Sequence, residues 1–253
     1  RDFCLSRGLG DVYKRQHVSH VLGVHEGVVQ ADNLNIITVE DPVEFRMRGI
    51  NQVQVNNKAG MTFAAALRSI LRADPDVVLI GEIRDQETAN IAIEASLTGH
   101  LVLSTLHTND APSAVTRLTE MGVEPFLLSS SLAAVMAQRL ARRLCKKCKR
   151  QDTATEAELR TLGVPHMPDT PLPTIWRPVG CRECANTGYS GRVAIQQVMG
   201  VDSTMEDLIA RGATSIDIDK AAKEQGMTTL RKDGWQKALQ GITSVEEVLR
   251  VTV

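Results

Sequence analysis

Two short apolar runs, each ending in a group able to do chemistry, constrain this chain more than any other feature. They are DVVLIGEIRD at residues 76–85 and TGHLVLSTLHTND at residues 98–110. In the first, four consecutive β-branched or Leu residues, 77–80, lie between Pro75 and Gly81. That is the pattern of a strand buried on both faces, and such strands belong to parallel sheets covered by helices. The second run, 101–106, reads the same way, with His100 before it and His107 after it. Parallel sheets take their ligands beyond the carboxyl ends of their strands, so Glu82 and His107 would meet in one crevice. A carboxylate and an imidazole aimed at one place suit polyphosphate chemistry. The same pattern also fits two buried strands that simply end in polar residues, and spacing alone does not choose between these.

The flanking periodicity extends the pattern. Residues 36–39 read as a strand that runs into Glu40-Asp41-Pro42, and 52–55 alternate as a strand exposed on one face. Thr62 begins a helical stripe to Arg72, ended by Asp74-Pro75. Residues 86–97 are helical with Gly99 as the stop, Asn109 or Asp110 caps a helix with Pro112 in its first turn, and 125–140 reads as another helix. Strand and helix thus alternate from 36 to about 143, as in a helix-covered parallel sheet. Short helices are expected at 205–210, 216–224, 229–239 and 245–249, after a strand at 192–198.

The cysteines carry a second signal. Cys145-x-x-Cys148 and Cys181-x-x-Cys184 offer four thiolates in two knuckles, the set that Zn²⁺ prefers in a closed structural site. Arg143, Lys146, Lys147 and Arg182 stand beside them and are expected to favour the thiolate form. His166, in the proline-rich segment between the pairs, is expected to face solvent.

Glu40, Asp41 and Glu44 form an acidic cluster just past a strand end. It reads either as a solvated turn or as a group placing Mg²⁺ and water beside Glu82. Arg68, Arg72 and Arg84 are phosphate clamps or subunit contacts in the second reading, and ordinary surface ion-pair partners in the first.

These motifs resemble those of the type II and type IV secretion ATPases. ITVEDPVEF is similar to the Asp box, DVVLIGEIRD to the atypical Walker B motif and TGHLVLSTLHTND to the His box. RLARRLCKKCK with GCRECANTGYSGR resembles the zinc segment of the type II secretion and pilus-extension branch, and INQVQVNNKAG looks closest to the pilus assembly ATPases. The resemblance covers residues 34–253. It implies an α/β, RecA-like P-loop-type ATPase core, a parallel sheet with helices on both faces, carrying a tetracysteine zinc subdomain and C-terminal helices. Glu82 would activate water, Glu40 and Glu44 would assist, and His107 would touch the γ-phosphate region. Asp41, His100, Arg84 and Asp85 would serve ATP and Mg²⁺, and Cys145, Cys148, Cys181 and Cys184 would hold Zn²⁺. A homo-hexamer, an inner-membrane platform protein as partner and a cytoplasmic position at the inner membrane face are further implications. A type II secretion ATPase is the alternative within the family.

One departure matters. A P-loop needs GxxxxGK followed by Ser or Thr, and no such run occurs in the chain. The expected division is a non-native leader at 1–16, an unassigned stretch at 17–33, the ATPase core without its Walker A part at 34–144, the zinc subdomain at 145–184 and a strand with helices at 185–253. The chain then reads as a C-terminal fragment, inactive on its own. A zinc-ribbon nucleic-acid binder is the competing class, resting on the basic stretch 139–150. Balanced charge (29 Lys+Arg against 30 Asp+Glu) and 3% aromatic residues argue against it, so no nucleic-acid partner is expected.

Overall fold

The computed structural model describes residues 2–7, 34–167 and 169–252, with the backbone alone for 2–7. Residues 17–33, which the sequence leaves unassigned, lie outside that set. The chain divides into two compact units, residues 1–137 with 198–227, and residues 138–197 with 228–253.

The first unit is built on a parallel sheet. Its strands are β1 (Asp2–Arg7), β2 (Ile36–Glu40), β3 (Asn51–Gln54), β4 (Val77–Ile80) and β5 (Leu101–Thr105), followed by the first half of β6 (Leu132–Leu144) and, after the second unit, the end of β9 (Tyr189–Gly200). The strand order is β3-β2-β4-β5-β1-β6-β9, and β2, β3, β4, β5 and β1 run parallel. Strands β2 and β4 are buried along their whole length, which explains their unbroken apolar runs.

The sheet carries α1 (Phe63–Ile70), α2 (Gln86–Leu97), α3 (Pro112–Glu120), α4 (Pro125–Ser131), α6 (Ser203–Ala210) and α7 (Ser215–Glu224). Side chains alternate across a strand. Ile37, Val39, Val78, Ile80 and Val102 on one face join Leu67, Ala92, Leu118 and Leu128 of the helices in one cluster. Ile36, Val77 and Leu79 point to the other face and form a smaller cluster with Ile50, Leu101 and Leu103.

One expectation changes here. Residues 125–140 are a helix only to Ser131, and Leu132 already has the extended φ of −80° and ψ of 118° that start β6. Alanine-rich sequence favours a helix weakly, by tenths of a kcal/mol per residue, and pairing within a sheet outweighs that. The leading string set aside as foreign also supplies β1, pairing with β5 through Asp2–Ser6 and with β6 through Phe3–Arg7. A parallel slot is filled by main-chain hydrogen bonds, which a short extended run of almost any composition can make.

The second unit contains the antiparallel pair β7 (Arg150–Thr153) and β8 (Thr174–Arg177), with α5 (Glu156–Leu162), α8 (Leu230–Leu239) and α9 (Val245–Val251). Thr155 closes α5 with a reciprocal bond to Glu158. Ala141, Leu159, Ile175, Ile195, Trp235 and Val248 form its core. The C-terminal region therefore divides: α6 and α7 build the sheet unit, whereas α8 and α9 pack around the cysteine segment.

Candidate functional site

The carboxyl ends of β2, β4 and β5 lie side by side because Val39 pairs with Ile80 and Ile80 with Ser104. One residue further on, Gly81 donates its amide to Val39 O at 2.8 Å. A Cβ on Gly81 would stand 3.2 Å from Val39 O and 3.4 Å from Glu40 Cα, so glycine lets the two acid-bearing ends close up. Beyond it, Thr105 Oγ1 donates to Gly81 O at 2.6 Å, Ser104 Oγ donates to Ile80 O at 3.0 Å, and Ile83 N donates to Thr105 O at 3.0 Å. These bonds set Glu82, whose side chain is 12% exposed. Arg84 Nη2 donates to its Oε1 at 2.5 Å, and His107 Nε2 lies 3.4 Å from its Oε2.

Glu40 is buried, and its Oε1 accepts from Thr38 Oγ1 at 2.6 Å and Gln52 Nε2 at 3.0 Å. Asp41 and Glu44 follow it, half-buried, in the connection to β3. Glu82, Glu40, Asp41, Arg84 and His107 thus share the carboxyl end of the sheet, and the three carboxylates among them are hard oxygen donors of the kind Mg²⁺ takes. Ser104, Thr105, Thr38 and Gln52 belong to this end too. Their only sequence signal is a polar residue within or beside an apolar strand.

Two expected ligands sit elsewhere or are already engaged. His100 precedes β5 and so stands at the opposite end of the strand from His107, about 17 Å from Thr105 at 3.3 Å per residue. Its Nδ1 lies 2.9 Å from Ala95 O, closing the carboxyl end of α2. Asp85 caps the start of α2, accepting from Thr88 N at 2.8 Å and from Thr88 Oγ1 at 3.1 Å. Arg68 pairs with Glu87 at 2.6 Å on the surface, and Arg72 is exposed at the end of the α1 segment.

In the second unit the four cysteines converge. Sγ separations are 3.9 Å for Cys145–Cys181, 3.8 Å for Cys148–Cys184 and 3.7 Å for Cys181–Cys184, and all four sulfurs lie within 4.8 Å of one another. A tetrahedron with about 2.3 Å metal–sulfur bonds has edges of about 3.8 Å, so the set fits a metal ion such as zinc. Gly180 N donates to Cys148 Sγ at 3.3 Å, Cys181 N to Cys184 Sγ at 3.2 Å and Gly188 N to Cys184 Sγ at 3.3 Å. Gly180 must be glycine, since its φ is +110° and a Cβ would meet Asn186 O at 2.7 Å. Burial pushes the Cys148 thiol up to about 11. Burial also raises Cys184, but the amides of Cys181 and Gly188 and the adjoining thiols bring it down to about 6. The amides, rather than the neighbouring lysines, are its main stabilisers, and Lys147 is instead paired with Glu183 at 2.8 Å. His166 stands outside the cluster, with Nδ1 3.3 Å from Thr170 Oγ1.

A parallel sheet covered by helices, with acids gathered at successive carboxyl ends, places the first unit among the doubly wound α/β cores. The chain belongs to the type II/IV secretion system protein family, whose model matches residues 19–250. It is 51% identical over 224 residues to type II secretion system protein E of Aeromonas hydrophila, covering 88% of this chain and 44% of that protein. It is 52% identical over 219 residues to the type IV pilus assembly ATPase PilB of Thermus thermophilus, covering 87% and 24%. With type II secretion system protein E of Pseudomonas aeruginosa the identity is 56% over 218 residues, covering 86% and 43%. The chain therefore spans less than half the length of these relatives. Among solved structures, the pilus retraction motor PilT with bound ADP superposes with a TM-score of 0.70 at 23% identity, covering 99% of this chain and 61% of that one. The DotB ATPase of Yersinia pseudotuberculosis superposes at 0.69 and 18%, covering 99% and 57%. These two likenesses concern the fold.

Proposed function

We propose that this chain is the C-terminal catalytic part of a hexameric motor ATPase that couples MgATP hydrolysis to type IV pilus assembly. The observation that carries this reading is the convergence of Glu40, Asp41, Glu82 and His107 at adjoining strand ends, in a chain 52% identical to a pilus assembly ATPase. When bound, Mg²⁺ would supply charge neutralisation for the transferred phosphoryl group. Glu82 orients or deprotonates the attacking water, within reach of the His107 imidazole, which is suited to contact the γ-phosphate. Arg84 holds Glu82 Oε1, so the other oxygen, beside His107, is aimed by an ion pair. Glu40, Asp41 and Glu44 would supply carboxylate oxygens to hold Mg²⁺ and water. Zn²⁺ in the four-thiolate centre has a closed shell and would be structural.

A type II secretion role is the second reading, favoured by the 56% identity to a type II secretion protein. Three of the seven basic side chains of 139–150, on which the nucleic-acid reading rests, have partners within the second unit. Arg142 is engaged by Glu247, Lys149 by Gly241 O and the Trp176 ring, and Lys147 by Glu183. Among the described residues no helix is long and apolar enough to cross a membrane, and the proposal places the protein peripherally at the inner membrane through a platform partner.

In a full-length protein carrying this chain, Glu82→Gln is expected to lower turnover by about a hundredfold or more while ATP still binds. Unchanged turnover would discard the role. Complementation separates the two readings: restored pili in a strain lacking its pilus ATPase supports the first, and restored secretion in a strain lacking its secretion ATPase supports the second. The chain as it stands has no lysine-bearing phosphate loop and is expected to hydrolyse ATP negligibly.

A further inference from the structure

Strands β2 and β3 are parallel neighbours, yet only residues 41–50 connect them. Parallel pairs ordinarily need a crossover of about a dozen residues or more, usually containing a helix. This connection contains no helix, and it carries Asp41 and Glu44. Other bonds must therefore hold it.

The register supplies them. Gln52 lies opposite Thr38 and Gln54 opposite Glu40, so these four side chains share one face of the sheet. Gln52 Nε2 donates to Glu40 Oε1 at 3.0 Å and to Phe45 O at 2.9 Å, while its Oε1 accepts from Met47 N at 2.8 Å. Gln54 Oε1 accepts from Val43 N at 3.3 Å, a longer bond. A primary amide has two N–H donors and a carbonyl acceptor, and Gln52 uses each of them. Its orientation is dictated, because the flipped amide would set its oxygen against Glu40 Oε1 and Phe45 O. Thr38 Oγ1 adds its own bond to the same Glu40 oxygen at 2.6 Å.

We infer that Gln52 is a positioning residue: it ties the acidic crossover to Glu40 and so presets Glu40, Asp41 and Glu44 for the nucleotide's metal. The inference rests on the proposed ATPase reading for its purpose, though the clamp itself is a matter of geometry. Glutamate at this position has the right size but cannot donate, and leucine can neither donate nor accept.

The test has two arms. Arg46 and Arg48 are exposed within the clamped segment and offer trypsin two sites. In this chain, Gln52→Glu and Gln52→Leu are expected to speed cleavage there by about tenfold or more, with thermal midpoints within a few degrees of the parent, because only a local segment is released. In a full-length protein carrying the chain, both substitutions should lower kcat about tenfold, leave KM for ATP within about twofold and raise the magnesium concentration needed for half-maximal rate. Unaltered cleavage at Arg46 and Arg48 overturns the clamp. Faster cleavage with unchanged kcat and magnesium requirement overturns the positioning role. Should Glu82→Gln leave turnover untouched, the ATPase reading falls instead, and the cleavage arm still decides the clamp.

Discussion

Glu247 is the most enclosed carboxylate among the described residues, 1% exposed at the start of α9. Arg142 donates to it from its backbone N at 2.9 Å and from Nη2 at 2.6 Å, and Arg250 donates through Nε at 2.8 Å and Nη2 at 2.7 Å. Burial alone would raise its pKa, but the hydrogen bonds from Arg250 and Arg142 outweigh that and bring it down to about 2. A depressed carboxylate contributes stability that is complete above its unfolded pKa, about 4.3, and is lost as pH falls from there toward 2. Urea unfolding should therefore show the wild-type chain losing about 3 kcal/mol over that range. Glu247→Gln should lose about 3 kcal/mol at neutral pH, because it strands two arginines, and should lack that acid-dependent slope. Parallel pH profiles for the two proteins would refute the assignment. The contrast with the strand-end acids shows what sequence reveals at this scale. Glu82, Glu40 and His107 were readable because each ends an apolar run, and a strand end has a known destination in a parallel sheet. Asp85 and His100 flank the same runs, yet their side chains close the two ends of α2. For Asp85 the signal was present, an acid directly before a helical stretch. Gln52 and Thr105 gave no comparable signal, because their partners depend on the register between neighbouring strands.

Among the elements, those with strong local punctuation were legible to within a residue or two. Residues 86–97 were expected as a helix and form α2, with Asp85 before it and Gly99 after it. The C-terminal helices follow caps at Asp202, Thr214, Thr229 and Ser244. Strand β6 escaped because Leu132–Leu144 is made of good helix formers and lacks β-branched residues apart from Val135. Its conformation comes from its place in the sheet. Helix α8 offers the reverse test, where local preference and packing oppose each other. Gly234 lies inside it, and replacing an interior glycine with alanine ordinarily favours a helix by about 1 kcal/mol. Here a Cβ would stand 2.6 Å from Val248 Cγ1 and 3.1 Å from Ile195 Cδ1 and Val248 Cγ2. Val248 is fully buried and β-branched, so it has little freedom to give way. Gly234→Ala is accordingly expected to destabilise by about 1–3 kcal/mol in denaturant titration, and a gain in stability would show that the contact relaxes cheaply.

At the scale of the whole chain, the two units interleave: the second is made from residues 138–197 and 228–253, which residues 198–227 of the first separate. A linear reading places the cysteine segment and the C-terminal helices in successive regions, and the contacts within the second unit join them. Leu144 N donates to Ile242 O at 2.9 Å, Lys149 Nζ donates to Gly241 O at 2.7 Å, and Tyr189 OH lies 2.9 Å from Ser244 Oγ. The segment 241–244 is thus bonded to Leu144 and Lys149, which directly flank Cys145 and Cys148, and to Tyr189, five residues past Cys184. A metal held by four thiolates stabilises the folded arrangement of its ligands, and its loss is felt by whatever those ligands organise. Cys181→Ser should reduce bound zinc, measured by elemental analysis, from one per chain to a small fraction. Hydrogen exchange should then quicken at the Cys145–Cys148 and Cys181–Cys184 knuckles and also at 241–244 and the first turn of α9. Amides of β2 and β4 should keep their protection, since no ligand of the metal lies in the sheet unit. Stoichiometric zinc in the variant would dismiss the four-thiolate centre. Faster exchange confined to the knuckles would mean that 241–244 is held by its own helices, α8 and α9, and not by the cysteine segment.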